Sequence, residues 1–470
     1  MGLWELTVDE LRRGYRKKEY SPAEVVDELI GRIETLDPEL GAFRQVLAES
    51  ARRDAIRTTQ ELADGGPRGP LHGIPVAIKE LFDVAGAVGC YGSQVFAGRI
   101  STKDSAAVEL LREAGAIVMG VTRSHEFGWG ITTQHPQLGD ARNPWDTNRV
   151  PGGSSGGSAV ALAAGMVPLA LGTDTGGSVR IPAAFCGVAG LKPTFGSISR
   201  RGVVPLAASL DHVGPMARSV EDLAIALDVL AGFDPEDPAT DHRSRPTLSG
   251  VSGDRLDGIR VGTALSLHLT PLAPAYEEVF ARALSAAESV GAEIVEVTIP
   301  LAERIRPSFA TIQMAEAHYT HSVTLGTYPS RAADYGPDVR GRLEAAVGVG
   351  INDYLEARTE SQRIRRRFED AFRLVDVILT PVSAGPPAAV PDPDQTTHLG
   401  KPIAFRELVM DYTVPQDITG LPACVVPAGF DTDNLPVGVQ ATAAAQREDL
   451  ALRVASALHR QLGSPQRWPV

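Results

Sequence analysis

The sequence predicts an α/β fold: one domain built on a mixed, twisted β-sheet with helices on both faces. Three observations lead there. Helical stretches alternate with apolar runs of strand length, the pattern of a sheet covered on both sides. Of 470 residues, 43% are hydrophobic and 22% charged, the balance of a globular chain able to bury a large core. The segments richest in chemistry, an apolar run ending in lysine and two glycine-serine clusters, fall on separate elements of one half of the chain. A single site on one continuous domain, residues 1–470, is therefore expected.

Taken in order, SPAEVVDELIGRIETL (21–36) opens with Ser21 as cap, Pro22 at the first helical position and Glu24 at the capping-box position. Its apolar residues Val25, Leu29, Ile33 and Leu36 then recur at helical spacing, so a helix is predicted. VAIKELFDV and SAAVELLREAGAIVMGVT follow with strand and helix patterns, and GIRVGTAL, AESVGAEIVEVTIP and RLVDVILTP repeat them later. The run Ala159–Leu171 is broken by Gly165 and Pro168 and is shorter than the roughly 20 residues that cross a bilayer, so it reads as buried core. Segments 231–258 and 384–395, rich in Pro, Asp, Ser and Gly, read as surface loops.

Composition excludes several roles. A formal charge of −13 argues against nucleic acid as a partner, because such binding draws on Lys and Arg neutralising phosphates. Cys90, Cys186 and Cys424 are odd in number and lack CxxC spacing, so neither a disulfide framework nor a zinc site is signalled. The start MGLWELTVDELRRGY has no apolar signal-peptide core. A cytoplasmic protein without a membrane partner is expected.

The cluster Gly152–Ser158 (GGSSGGS) and the second cluster Gly172–Ser178 (GTDTGGS) need one explanation. A linker requires polar flanks, and Ala159–Leu171 is apolar. A phosphate loop requires GxxxxGK[ST] or GxGxxG after a strand, and neither occurs. The GxSxG elbow is matched at Ser154 and at Ser155, but Pro151 and the glycines offer no preceding strand. Another group must activate the serine. Of only six lysines, Lys79 closes the apolar run GIPVAIK. A lysine at such a place either snorkels to water or, if buried, loses its proton easily and becomes a base.

GIPVAIKELFDV, PGGSSGGSAVALAAG and ALGTDTGGSVRIPAAFCGVAGLKPT resemble, in order and spacing, the amidase signature family. The resemblance covers about 20–50, all of 70–230 and the segments LTPVSAGPP and VPQDITGLPACVVPAGF, with 300–375 individual to this chain. It implies the amidase signature fold and a Ser–cis-Ser–Lys triad. Lys79 is the base, Ser154 the bridging serine after a cis peptide, and Ser178 the acylated nucleophile, 24 residues beyond Ser154. Ser155 is the near miss and supports the loop. Backbone N–H groups of Thr175, Gly176, Gly177 and Ser178 are expected to form the oxyanion hole, and Asp174 with Arg180 to fix that loop.

The implied activity is cleavage of the C–N bond of a carboxamide, with carbamates also admitted, by way of an acyl-enzyme on Ser178. No metal or cofactor is required, and the partners are a small amide-type substrate and water. Gly128, Trp129 and Ile131, in HEFGWGIT, match the family stretch beside the acyl pocket, where Phe127, Trp129 and Ile131 are either pocket or core. Gln313, His318, Tyr319 and Arg342 are candidates for the leaving-group side. A homo-oligomer through the N-terminal helices follows from family habit. Two rivals remain. One is the glutaminase subunit of glutamyl-tRNA(Gln) amidotransferase, whose carboxylate-binding arginine segment has no good counterpart in RGRLEAAVGVGINDYLEA, although Asp411 stands where an acid helps there. The other is a catalytically silent binding protein, which would have lost one of Lys79, Ser154 and Ser178. A histidine-based mechanism would instead rest on His125 or His212.

Overall fold

The predicted helix forms where its cap places it, at Pro22–Leu40, with Ser21 and Glu24 making the reciprocal capping bonds; a shorter helix, Val8–Lys17, precedes it. The strand patterns of the predicted segments become Pro75–Lys79, Ile117–Thr122, Arg260–Thr263, Glu293–Glu296 and Val377–Pro381. The computed structural model describes residues 2–242, 251, 253–390, 394–463 and 468–470. The predicted loops 231–258 and 384–395 therefore lie partly outside the described residues.

Among the described residues eleven strands form one mixed sheet, flanked by helices. Third from one edge, Pro75–Lys79 runs parallel to Ile117–Thr122 on one side and to Leu169–Asp174 on the other. Leu169–Asp174 then pairs antiparallel with His212–Ala217. The long hairpin Ala423–Phe430 and Pro436–Ala443 joins this half to Val377–Pro381, Arg260–Thr263 and Glu293–Glu296. One apolar core runs from Leu6 to Leu458 through both halves of the sheet. The predicted core segment 159–171 divides into the helix Gly156–Ala163 and the strand Leu169–Asp174, every residue of both buried.

The three parallel strands end on one edge, at Lys79, Thr122 and Asp174. Ligands of open α/β sheets bind outside that carboxyl edge. Beyond it lie Ala302–Tyr319 and Phe405–Thr419, whose Phe309 and Met410 reach Gly176, and Pro337–Ala346, whose Asp338 meets His125; Ile351–Ala371 packs on the first two of these helices. Among the described residues no helix is long and apolar enough to cross a membrane.

Candidate active site

Lys79 is the last residue of a fully buried strand, and its own side chain is sealed from solvent. Its Nζ donates to Ser154 Oγ at 2.7 Å, Ser155 Oγ at 2.9 Å and Thr173 Oγ1 at 2.8 Å. Burial pulls the lysine down to a pKa of about 7 against the opposing pull of Asp174, Asp211 and Glu80, none of which touches the ammonium. A buried amine held by three hydroxyls and no carboxylate is a base poised near neutrality.

The first glycine cluster is a crowded turn into the helix Gly156–Ala163. The Gly153–Ser154 peptide is cis, as the family resemblance implies. Gly152 adopts φ 82°, and a Cβ on Gly157 would come within 2.4 Å of the Ala42 carbonyl oxygen. The turn is tied to the second cluster by Ser155, whose N–H donates to the Ser178 carbonyl at 3.2 Å. Ser155 Oγ also exchanges hydrogen bonds with the backbone of Thr173. Ser155 thus supports the loop and reaches Lys79 as well.

In the second cluster the Asp174 carboxylate accepts from the N–H groups of Gly177 at 2.6 Å, Val179 at 3.1 Å and Arg180 at 3.3 Å. The Gly177 amide is therefore committed, which corrects the expectation of four free oxyanion donors. Thr175, Gly176 and Ser178 have N–H groups with no acceptor among the described residues. Asp174 is itself clamped by Arg180, through Nε at 3.0 Å and a terminal nitrogen at 3.1 Å. Arg180 also donates to Asp417 at 2.7 Å and to Gln416 and Gln440. Burial alone would raise the Asp174 carboxyl, but the Arg180 guanidinium outweighs it and holds Asp174 well below the usual range.

The other expected site residues divide. A Cβ on Gly128, at φ 71°, would stand 3.5 Å from Ser154 Oγ, so this backbone borders the Lys79–Ser154 pair. Trp129 donates from its indole to Gln313 Oε1 at 3.1 Å, and its carbonyl accepts from Arg342. Ile131, in contrast, packs with Ile181, Phe185 and Phe405 in an apolar cluster, and Phe127 packs against His321 and Tyr335. Both are core, not pocket. His318 sets its ring against Tyr328, and Tyr319 is 60% exposed.

Neither histidine rival reaches the serine hydroxyls. His125 donates from Nε2 to Asp338 at 3.0 Å and accepts at Nδ1 from Thr132, and His212 Nδ1 meets the carbonyls of Leu210 and Asp174. Cys186 is buried, with its thiol pushed up by burial.

Two walls went unread in the sequence. A Cβ on Gly176 would meet Phe309 Cζ at 2.8 Å and Met410 Cε at 3.4 Å, which puts these two side chains against the Thr175–Ser178 loop. Asp411, the acid expected to help, turns away: its carboxylate accepts from the Thr270 hydroxyl at 2.6 Å and pairs with Arg306 at 3.3 Å. Its neighbour Met410 faces the loop instead. A cavity of about 220 Å³ is lined by Leu81, Thr173, Thr175, Val204, Leu206 and Asp211. It shares Pro205, Ala208 and Glu236 with an outer cleft of about 980 Å³ bordered by Tyr319, Ile351 and Tyr354.

Fold and site together describe an α/β protein whose buried lysine is hydrogen-bonded to two adjacent serines and a threonine. The Amidase family profile matches residues 24–452, and the chain belongs to that family, whose members hydrolyse C–N bonds. A glutamyl-tRNA(Gln) amidotransferase subunit of Roseiflexus sp. (strain RS-1) is 37% identical over 97% of this chain and 96% of its own length. Among solved structures, a protein from a vestigial complex bearing on the origins of an s-triazine catabolic enzyme superposes with a TM-score of 0.91 at 33% identity, covering 98% of this chain and 99% of that one. A 6-aminohexanoate cyclic dimer hydrolase complexed with substrate gives 0.89 at 29% identity over 100% and 99% of the two chains.

Proposed function

We propose that this amidase is a hydrolase of carboxamides with an apolar acyl side, working through an acyl-enzyme on Ser178. The observation that carries the reading is the Lys79–Ser154 contact of 2.7 Å, with the lysine fully buried. Neutral Lys79 accepts the Ser154 proton as Ser154 takes that of Ser178, and Ser178 Oγ bonds to the carbonyl carbon. The oxyanion is met by the free amides of Thr175, Gly176 and Ser178. The relay then returns the proton to the nitrogen, the C–N bond breaks and the amine departs. Water, deprotonated along the same path, releases the acid.

Because the departing nitrogen takes its proton from Ser154, the amine lies on the Gly128 and Leu81 side, where the 220 Å³ cavity begins. The acyl chain then runs toward Phe309 and Met410. Incubation of the purified protein with anilides tests this through amine release and a covalent mass increment on Ser178. An unmodified Ser178 during turnover would refute it.

A second reading, a glutaminase working with partner subunits, is favoured by the 37% identical relative. Met410, not an acid, against Gly176 weighs against recognition of a substrate ammonium there. Ammonia release from glutamine only when partner subunits are added would reverse the preference.

A further inference from the structure

The helix Phe405–Thr419 presents Arg406, Met410, Thr413 and Asp417 at spacings of four, three and four, which places them on one face. Three of the four are accounted for. Met410 and Thr413 abut Gly176 and Gly177, and Thr413 Oγ1 donates to the Gly176 carbonyl at 2.7 Å. Asp417 holds Arg180. Arg406 continues this face one turn, roughly 6 Å, beyond Met410, on the wall along which the acyl chain runs in the reading proposed above.

Arg406 is half-buried, and among the described residues its guanidinium makes no hydrogen bond and no ion pair. Its surroundings do not neutralise it. The charges that act on it are Arg342, Asp338 and Asp394, and it acts in turn on His125. Asp338 is already spent on Arg342 and His125, Asp394 is exposed and pairs with neither guanidinium, and burial keeps His125 uncharged by lowering its pKa. Burial, with Arg342 close by, carries Arg406 down to about 9. A partly desolvated guanidinium beside a second one is costly unless an anion comes between them or caps them.

We propose that Arg406 is a specificity-determining residue that receives a carboxylate at the far end of the acyl group. The substrates are then amides of dicarboxylic acids whose free carboxylate lies about one helical turn from the oxyanion loop. Met410 and Phe309 cover the methylenes between the two ends, and the carboxylate meets the guanidinium fork as a charge-assisted pair. This assignment rests on the hydrolase reading for its orientation and not for the existence of the anion site.

The test uses mono-p-nitroanilides of succinic, glutaric and adipic acids, each paired with an isostere in which an isopropyl group replaces the carboxylate. Binding is measured by calorimetry in Ser178→Ala, where turnover cannot occur, and again with Arg406→Ala added. One of the carboxylated anilides is expected to bind roughly tenfold or more tightly than its isostere, and Arg406→Ala is expected to erase that difference. Arg406→Lys should restore part of it, and Arg406→Gln, nearly the same in size, separates loss of charge from loss of packing. In the Ser178 enzyme the loss should fall on KM more than on kcat. Equal affinity for carboxylate and isostere, or a preference that survives Arg406→Ala, overturns the proposal. A carboxylate preference that depends on Arg406, in a protein that releases no nitroaniline, would sustain this site and refute the hydrolase reading.

Discussion

Lys79 Nζ stands 2.7 Å from Ser154 Oγ while no part of the lysine reaches solvent. The pair is made by the end of the strand Pro75–Lys79 and the turn that leads into the helix Gly156–Ala163. The arrangement works as a base only if the lysine is neutral, and burial supplies that condition.

Activity should therefore climb with pH through about 7, the value to which burial lowers Lys79, and level off above it. Stability has the matching sign. The folded pKa lies below the unfolded value of 10.5, so between the two the unfolded chain binds more protons, and stability rises with pH across that window. Lys79→Met should abolish activity yet unfold in more urea than the parent near pH 7, with the gap narrowing toward pH 10. A gap that widens with pH would reject the assignment of a neutral lysine.

Ser178→Ala should remove acylation entirely, because it removes the atom that bonds to carbon. Ser154→Ala should leave the nucleophile but break the proton path, with kcat falling by roughly a thousandfold or more and KM changing little. The double variant should be no worse than Ser178→Ala. Acyl-enzyme mass spectrometry of the three proteins decides, and multiplicative losses would show that the serines do not act as a unit.

Much of this was legible because the residues involved are local in sequence. Lys79 ends an apolar run, and the two clusters carry Ser154 and Ser178 in fixed frames. The commitment of Gly177 to Asp174 was hidden, since nothing in TDTGGS says which amide the aspartate takes. Thr173, the third hydroxyl on Lys79, lay in plain view inside the second cluster. Met410 in place of Asp411 is a different kind of miss. One residue is about 100° of helix, and only the packing of Phe405–Thr419 against Phe309 and Arg306 decides which of the two neighbours faces the loop. Arg406 was unreadable for the same reason.

Arg180 is fully buried between Asp174 and Asp417. Arg180→Met should leave both carboxylates without their cation and cost about 3–5 kcal/mol, read as a lower urea midpoint. Asp417→Asn keeps a hydrogen-bond acceptor and should cost less. Because Asp174 holds the Gly177, Val179 and Arg180 amides, folded Arg180 variants should also lose kcat. A folded variant with unchanged kcat would detach this cluster from the oxyanion loop.

The two cavities that meet at Pro205, Ala208 and Glu236 make the last prediction, which concerns the amine. If the amine leaves by this route, narrowing the junction should matter in proportion to its size. Ala208 is exposed where the cavities join, and Ala208→Trp would put an indole in the passage without touching Lys79, Ser154 or Ser178. Turnover of p-nitroanilides should fall severalfold or more. Primary carboxamides with the same acyl group, which release only ammonia, should lose much less. Ala208→Leu should lie between the two, ordered by side-chain volume. The comparison holds the acyl-enzyme constant, so deacylation cannot account for a difference between leaving groups. Equal losses for aryl amine and ammonia would show that the amine departs elsewhere.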